Sequence, residues 1–97
     1  MIRHVLLISF KPGTDTAEKS AVKAAFEKLP GLISVVKSYS VGLDLSLLPG
    51  NADLIVVAEF ASEADFLAYS QHAAHADVIY PVCGEVMASY STAQYKV

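Results

Sequence analysis

The stretch from Ile2 to Lys11 limits the fold more than any other. It reads Ile-Arg-His-Val-Leu-Leu-Ile-Ser-Phe-Lys and is broken off by Pro12-Gly13, the composition and ending of a β-strand. Alternation puts Ile2, His4, Leu6, Ile8 and Phe10 on one face, and Arg3, Val5, Leu7 and Ser9 on the other. Aliphatic residues occupy both faces, so both need a cover. His4 then points into an apolar layer.

The rest of the chain supplies one cover. Asp15 followed by Glu18 resembles a capping box, and Glu18, Ala21, Val22, Ala25, Phe26 and Leu29 recur at helical spacing before Pro30-Gly31. An amphipathic helix ending at that Pro-Gly pair is expected. Val35 to Gly42 reads as a second strand, and Leu43 to Ala52, with Pro49-Gly50-Asn51, as a loop. Leu43, Leu45, Leu47 and Leu48 are unusual for a solvated loop and suit a partner contact or a pocket cover. Asp53 to Phe60 is a third strand, again apolar on both faces apart from Glu59. Ser62 caps a second helix, His72 to Val82 holds a further turn or short helix, and Val86 to Val97 closes the chain as a fourth strand.

Strand, helix, strand, strand, helix, strand is the order of a ferredoxin-like βαββαβ sandwich, an α+β fold formed by residues 1–97 as one domain. Its helices cover one sheet face only. The other face needs a partner, and the same face of a second copy gives a homodimer, two sheets forming a dimeric α/β barrel. Composition agrees: 54% of residues are apolar and the mean hydropathy is +0.43, more than a small domain hides in its own core. No apolar run nears the ~20 residues that span a bilayer.

Chemistry concentrates in Tyr69-Ser-Gln-His-Ala-Ala-His75, which holds two of the three histidines. On a helix, residues three apart share a face, so Tyr69, His72 and His75 are expected along one line. Histidine titrates nearest neutrality and is the commonest general base, and a tyrosine can donate to a developing oxyanion. The alternative is structural, with His72 and His75 capping the helix end. His-x-x-His plus His4 also offers three nitrogen ligands, but it is not the His-Glu-x-x-His signature, and no metal is expected.

Other classes are disfavoured. A net charge of −3 without a basic cluster argues against nucleic acid. No phosphate-cradling loop or dinucleotide fingerprint is present. A single cysteine, Cys83, excludes an intrachain disulfide and fits a reducing compartment. No small-residue cleavage site follows the first strand, so a cytoplasmic location is the expectation.

In this order, Ile2-Arg3-His4-Val5, Phe10-Lys11-Pro12-Gly13, Leu29-Pro30-Gly31-Leu32, Val41-Gly42, Glu59-Phe60 and Tyr69 with His72-Ala73-Ala74-His75 resemble the stress-responsive A/B barrel (Dabb) family, which includes olivetolic acid cyclase. The resemblance implies aldol-type chemistry without a cofactor, with His75 as base and Tyr69 as donor. It implies a pocket bordered by His4 and Phe26, the latter replacing a tyrosine, and His72 is expected to support His75 there. Leu54, with Val56 beside it, falls where a pocket histidine is expected, making this pocket greasier.

Three functions compete. The first is a cofactor-independent lyase or cyclase acting on a small apolar carbonyl compound. The second is a non-catalytic stress-related ligand-binding or structural dimer, favoured if Phe26 and Phe66 plug the pocket. The third is a cofactor-free monooxygenase, which ranks last because the chain has no tryptophan.

Overall fold

The computed structural model describes residues 1–97. In chain order it comprises β1 (Ile2–Phe10), α1 (Thr16–Glu27), α2 (Leu29–Leu32), β2 (Val36–Leu43), β3 (Leu54–Phe60), α3 (Glu63–Ser70), a π-helical turn (His75–Ile79), α4 (Tyr80–Cys83) and β4 (Met87–Lys96). The strands form one antiparallel sheet in the order β2-β3-β1-β4, the ferredoxin-like α+β arrangement.

Local signals place the boundaries. The β1–α1 turn closes through Thr14 N–H donating to the Lys11 carbonyl at 3.2 Å. Gly13 there sits at φ 86°, where a side chain is strained. The capping box forms in both directions: Glu18 N–H donates to Asp15 Oδ1 at 2.7 Å and Asp15 N–H to Glu18 Oε1 at 3.1 Å. Ser62 Oγ accepts from Asp65 N–H at 3.1 Å and starts α3. One boundary differs from expectation. α1 stops at Glu27, because Lys28 N–H closes its last turn on the Ala25 and Phe26 carbonyls. Pro30-Gly31 lies inside α2, with proline in the first turn where its missing N–H costs nothing.

Pairing fixes the faces. Ile8 stands opposite Leu54, Leu6 opposite Val56, and His4 opposite Ala58 on one side and Gln94 on the other. The helices pack on this inner face, and Val22, Ala25, Phe26 and Leu29 join Ile8, Leu54, Val56, Ala58 and Phe60 in the buried core. On the outer face lie Val5, Leu7, Ile55, Val57 and Ala93. Leu7 and Ile55 are each 38% exposed there. At one end of this face Arg3 Nη2 pairs with Glu59 at 2.9 Å, and Arg3 Nη1 donates to the Tyr95 hydroxyl at 2.8 Å. No helix is long and apolar enough to cross a membrane.

Candidate functional site

A cavity of about 460 Å³ opens between the helices and the β1–β4 side of the sheet. The helices lean on β1, β2 and β3, so the inner-face residues of edge strand β4, Tyr90, Thr92 and Gln94, have a hollow above them. His4, Leu6 and Ile8 of β1 continue its floor. Phe26, Phe66, Tyr69, His75 and Cys83 supply its roof. Exposed Tyr80 and Tyr90 stand at its rim, so solvent reaches it. No Asp, Glu, Lys or Arg lines it. Phe26 and Phe66 form walls and do not fill the space.

Backbone breaks after α3 turn His75 inward. α3 ends at Ser70, where Gln71 N–H closes on Leu67 and Tyr69 carbonyls. Pro81 has no N–H for the Asp77 carbonyl, and in an α-helix its ring would crowd that oxygen. The wider turn just before it, in which Tyr80 N–H bonds the His75 carbonyl, accommodates the ring. Ala74 and Ile79 are buried by this turn, and His75 is half-buried on the cavity wall.

His75 Nδ1 lies 3.3 Å from the His72 carbonyl. A carbonyl can only accept, so Nδ1 carries the proton and Nε2 is the bare, basic nitrogen. Nε2 has no hydrogen-bond partner, and no unpartnered polar side-chain atom is buried, so this nitrogen is accessible. Burial holds the pKa of His75 below its ordinary 6.5, against the hydrogen bond to His72, and keeps it neutral near pH 7.

The Tyr69 ring meets His75 edge-on at 4.7 Å between centroids and His4 at 6.0 Å. Its hydroxyl lies 2.8 Å from that of Tyr39 on β2. Burial raises the pKa of both phenols, and their hydrogen bond raises Tyr39 while lowering Tyr69. Either hydroxyl can donate in this pair, and when Tyr39 donates the Tyr69 proton is free for another acceptor. His4 Nδ1 lies 3.0 Å from Gln94 Nε2, and its pKa is lowered by burial and then by His75. Burial likewise pushes the Cys83 thiol up, as expected of a packing cysteine.

Of the residues singled out from sequence, the cavity brings together His4, Phe26, Tyr69 and His75. Three others are corrected. His72 is exposed and off the cavity wall, because α3 ends before it and its Nδ1 accepts from Ala74 N–H at 3.0 Å. The expected line of three rings is thus a pair. Leu54 and Val56 share the inner face, but they are 1% and 0% exposed in the solid core and do not reach the cavity. No three metal-ligating side chains gather anywhere. Tyr39 and Gln94 were missed as partners of Tyr69 and His4. Only cross-strand register, with Tyr39 and His4 both opposite Ala58 and Gln94 opposite His4, brings them in.

The chain matches the model of the stress responsive A/B barrel domain over residues 2–97. A dimeric ferredoxin-like protein of unknown function from Thermobifida fusca YX is 31% identical, over 99% of this chain and 90% of its own, with a TM-score of 0.86. At3g17210 from Arabidopsis thaliana is 25% identical, over 100% of this chain and 95% of its own, with a TM-score of 0.84. Hydroxynitrile lyase from Passiflora edulis, 16% identical over 99% of this chain and 92% of its own with a TM-score of 0.81, shares the fold. No curated protein matches the sequence. With a family model matched along almost its whole length, the chain belongs to the stress-responsive A/B barrel (Dabb) family.

Proposed function

We propose that this protein is a cofactor-independent lyase or cyclase for a small, uncharged, largely apolar carbonyl compound. The observation that carries the reading is the bare, accessible Nε2 of His75 on the wall of an uncharged cavity of about 460 Å³. That volume lies within the ~300–1,000 Å³ usual for ligand sites.

His75 Nε2 takes a proton from the carbon next to the substrate carbonyl. The C–H electron pair moves into the carbonyl and makes an enolate, whose oxygen accepts from the Tyr69 O–H. The enolate carbon attacks a second carbonyl of the same molecule, and the new alkoxide takes the proton back from the His75 imidazolium. Run in reverse, the sequence cleaves a β-hydroxy carbonyl. Phe26, Phe66 and Leu6 exclude water from the enolate, and the low pKa of His75 keeps it a base at neutral pH. His4 helps to orient the substrate.

The chain works as a homodimer joined through the outer sheet face, in the cytoplasm. Support comes from the exposed Leu7 and Ile55 on that face and from structural relatives described as dimeric. The exposed Leu45, Leu47 and Leu48 of the β2–β3 loop belong to the same contact. Sedimentation of Leu7→Glu is expected to give monomers; an unchanged dimer places the contact elsewhere.

The catalytic test is exchange of α-hydrogens in deuterium oxide over a panel of small apolar ketones and aldehydes. Wild-type protein is expected to exceed His75→Ala by at least ~10²-fold on some member. Equal rates on every member point to the second reading, a non-catalytic apolar-ligand binder. That reading draws on the mutual bonding of the Tyr39 and Tyr69 hydroxyls.

A further inference from the structure

We propose that Gln94 is a positioning residue that fixes His4 as a hydrogen-bond donor into the cavity, opposite in tautomer to the acceptor His75. The inference deepens the catalytic reading and rests on it for a carbonyl ligand in the cavity. The hydrogen-bond geometry stands by itself.

His4 and Gln94 face each other across the β1–β4 pair. The contact at 3.0 Å joins Gln94 Nε2 to His4 Nδ1. An amide nitrogen can only donate, so Nδ1 accepts, and the proton of the neutral ring sits on Nε2. His4 Nε2 has no hydrogen-bond partner and, like that of His75, is not a buried unpartnered atom. The ring itself is only 6% exposed and is held by Phe66 at 4.8 Å and Tyr69 at 6.0 Å between centroids. Neither neighbour competes for that proton. The His72 carbonyl imposes the reverse order on His75, with Nδ1 protonated and Nε2 bare.

Two histidines of one cavity, His4 on its floor and His75 in its roof, therefore do opposite work. If both presented bare nitrogens, the cavity would hold two bases and one fewer donor. With opposite tautomers, His4 donates while His75 accepts. A ligand then meets the β1–β4 floor through an acceptor atom and presents its acidic proton to the roof. Burial lowers the pKa of both rings, and His75 lowers that of His4 further, which supports a pair of neutral imidazoles working together.

Long-range proton–nitrogen NMR of the ¹⁵N-labelled protein above the titration range reads each ring nitrogen directly. The wild type is expected to show His4 with bare Nδ1 and protonated Nε2, and His75 with the reverse. Replacing Gln94 by a group that can only accept, in Gln94→Glu, is expected to protonate His4 Nδ1 at a pH where the wild type leaves it bare. Gln94 is exposed on an edge strand, so the variant keeps the fold, and the wild-type spectrum decides without any variant. A protonated His4 Nδ1 in the wild type overturns the proposal, as does a bare Nδ1 in Gln94→Glu. An expected His4 spectrum beside a fully active His75→Ala protein sinks the catalytic reading and leaves the positioning intact.

Discussion

One sheet carries two unlike halves. Over β2 and β3, Val22 and Ala25 of α1 and Leu29 of α2 share one core with Leu54, Val56, Ala58 and Phe60, and none of these seven is more than 3% exposed. Over β1 and β4, the same helical layer leaves about 460 Å³ unfilled above His4, Thr92 and Gln94. The difference lies in what the strands offer. β3 turns aliphatic side chains inward and draws helices down onto it. β4 turns Tyr90, Thr92 and Gln94 inward, groups that keep their hydrogen bonds only if the layer above stands clear. The polar residues of the hollow are thus those that water or a ligand can satisfy, and the solid half holds them in place.

The largest expected effect lies in the solid half. Leu54→Ala removes a side chain that is 1% exposed and is expected to cost about 2–5 kcal/mol in denaturant unfolding. That is a large share of the roughly 5–15 kcal/mol typical of such domains. A loss under about 1 kcal/mol would show that this half is not tightly packed. Next comes His75→Ala, with its ~10²-fold loss of exchange and a stability change below about 1 kcal/mol, since one imidazole nitrogen already faces open space. Tyr39→Phe removes the hydrogen bond to Tyr69. It is expected to lower stability by about 1 kcal/mol and exchange by up to about tenfold, linking the halves. The smallest stability effect belongs to Thr92→Phe. It fills the hollow from an exposed position, so stability shifts by about 0.5 kcal/mol or less while exchange is abolished. Full activity in Thr92→Phe would put the chemistry elsewhere.

The halves also differ in response to acid. His4 and His75 have folded pKa values held below 6.5 by burial, so the unfolded chain binds protons that the folded chain refuses. Their contribution is neutral above pH 6.5, and stability falls as pH drops from 6.5 toward their folded values. Urea midpoints measured across that window are expected to decline less in the His4→Gln, His75→Gln double variant than in the wild type.

The strands were legible because β-branched runs broken by Pro12-Gly13 and Pro49-Gly50 allow few other arrangements. The caps at Asp15 and Ser62 were legible because they need only residues three apart. The site was half legible. His4, Tyr69 and His75 announced themselves by residue type, but their hydrogen-bonding states depend on Gln94, 90 residues from His4, and on Tyr39, 30 residues from Tyr69. His72 was misplaced because helical spacing was carried through a helix end at Ser70. Leu54 and Val56 were misplaced for a different reason. Alternation gives the face of a strand, whereas the position of α1 decides which residues on that face meet a helix and which meet a hollow.

The most direct test is a ¹⁵N chemical-shift titration of the His75 ring in the wild-type protein. A neutral base facing open space is expected to show protonated Nδ1 and bare Nε2 at pH 7, with a midpoint below 6.5. A protonated Nε2 at pH 7, or a midpoint above 6.5, would contradict it.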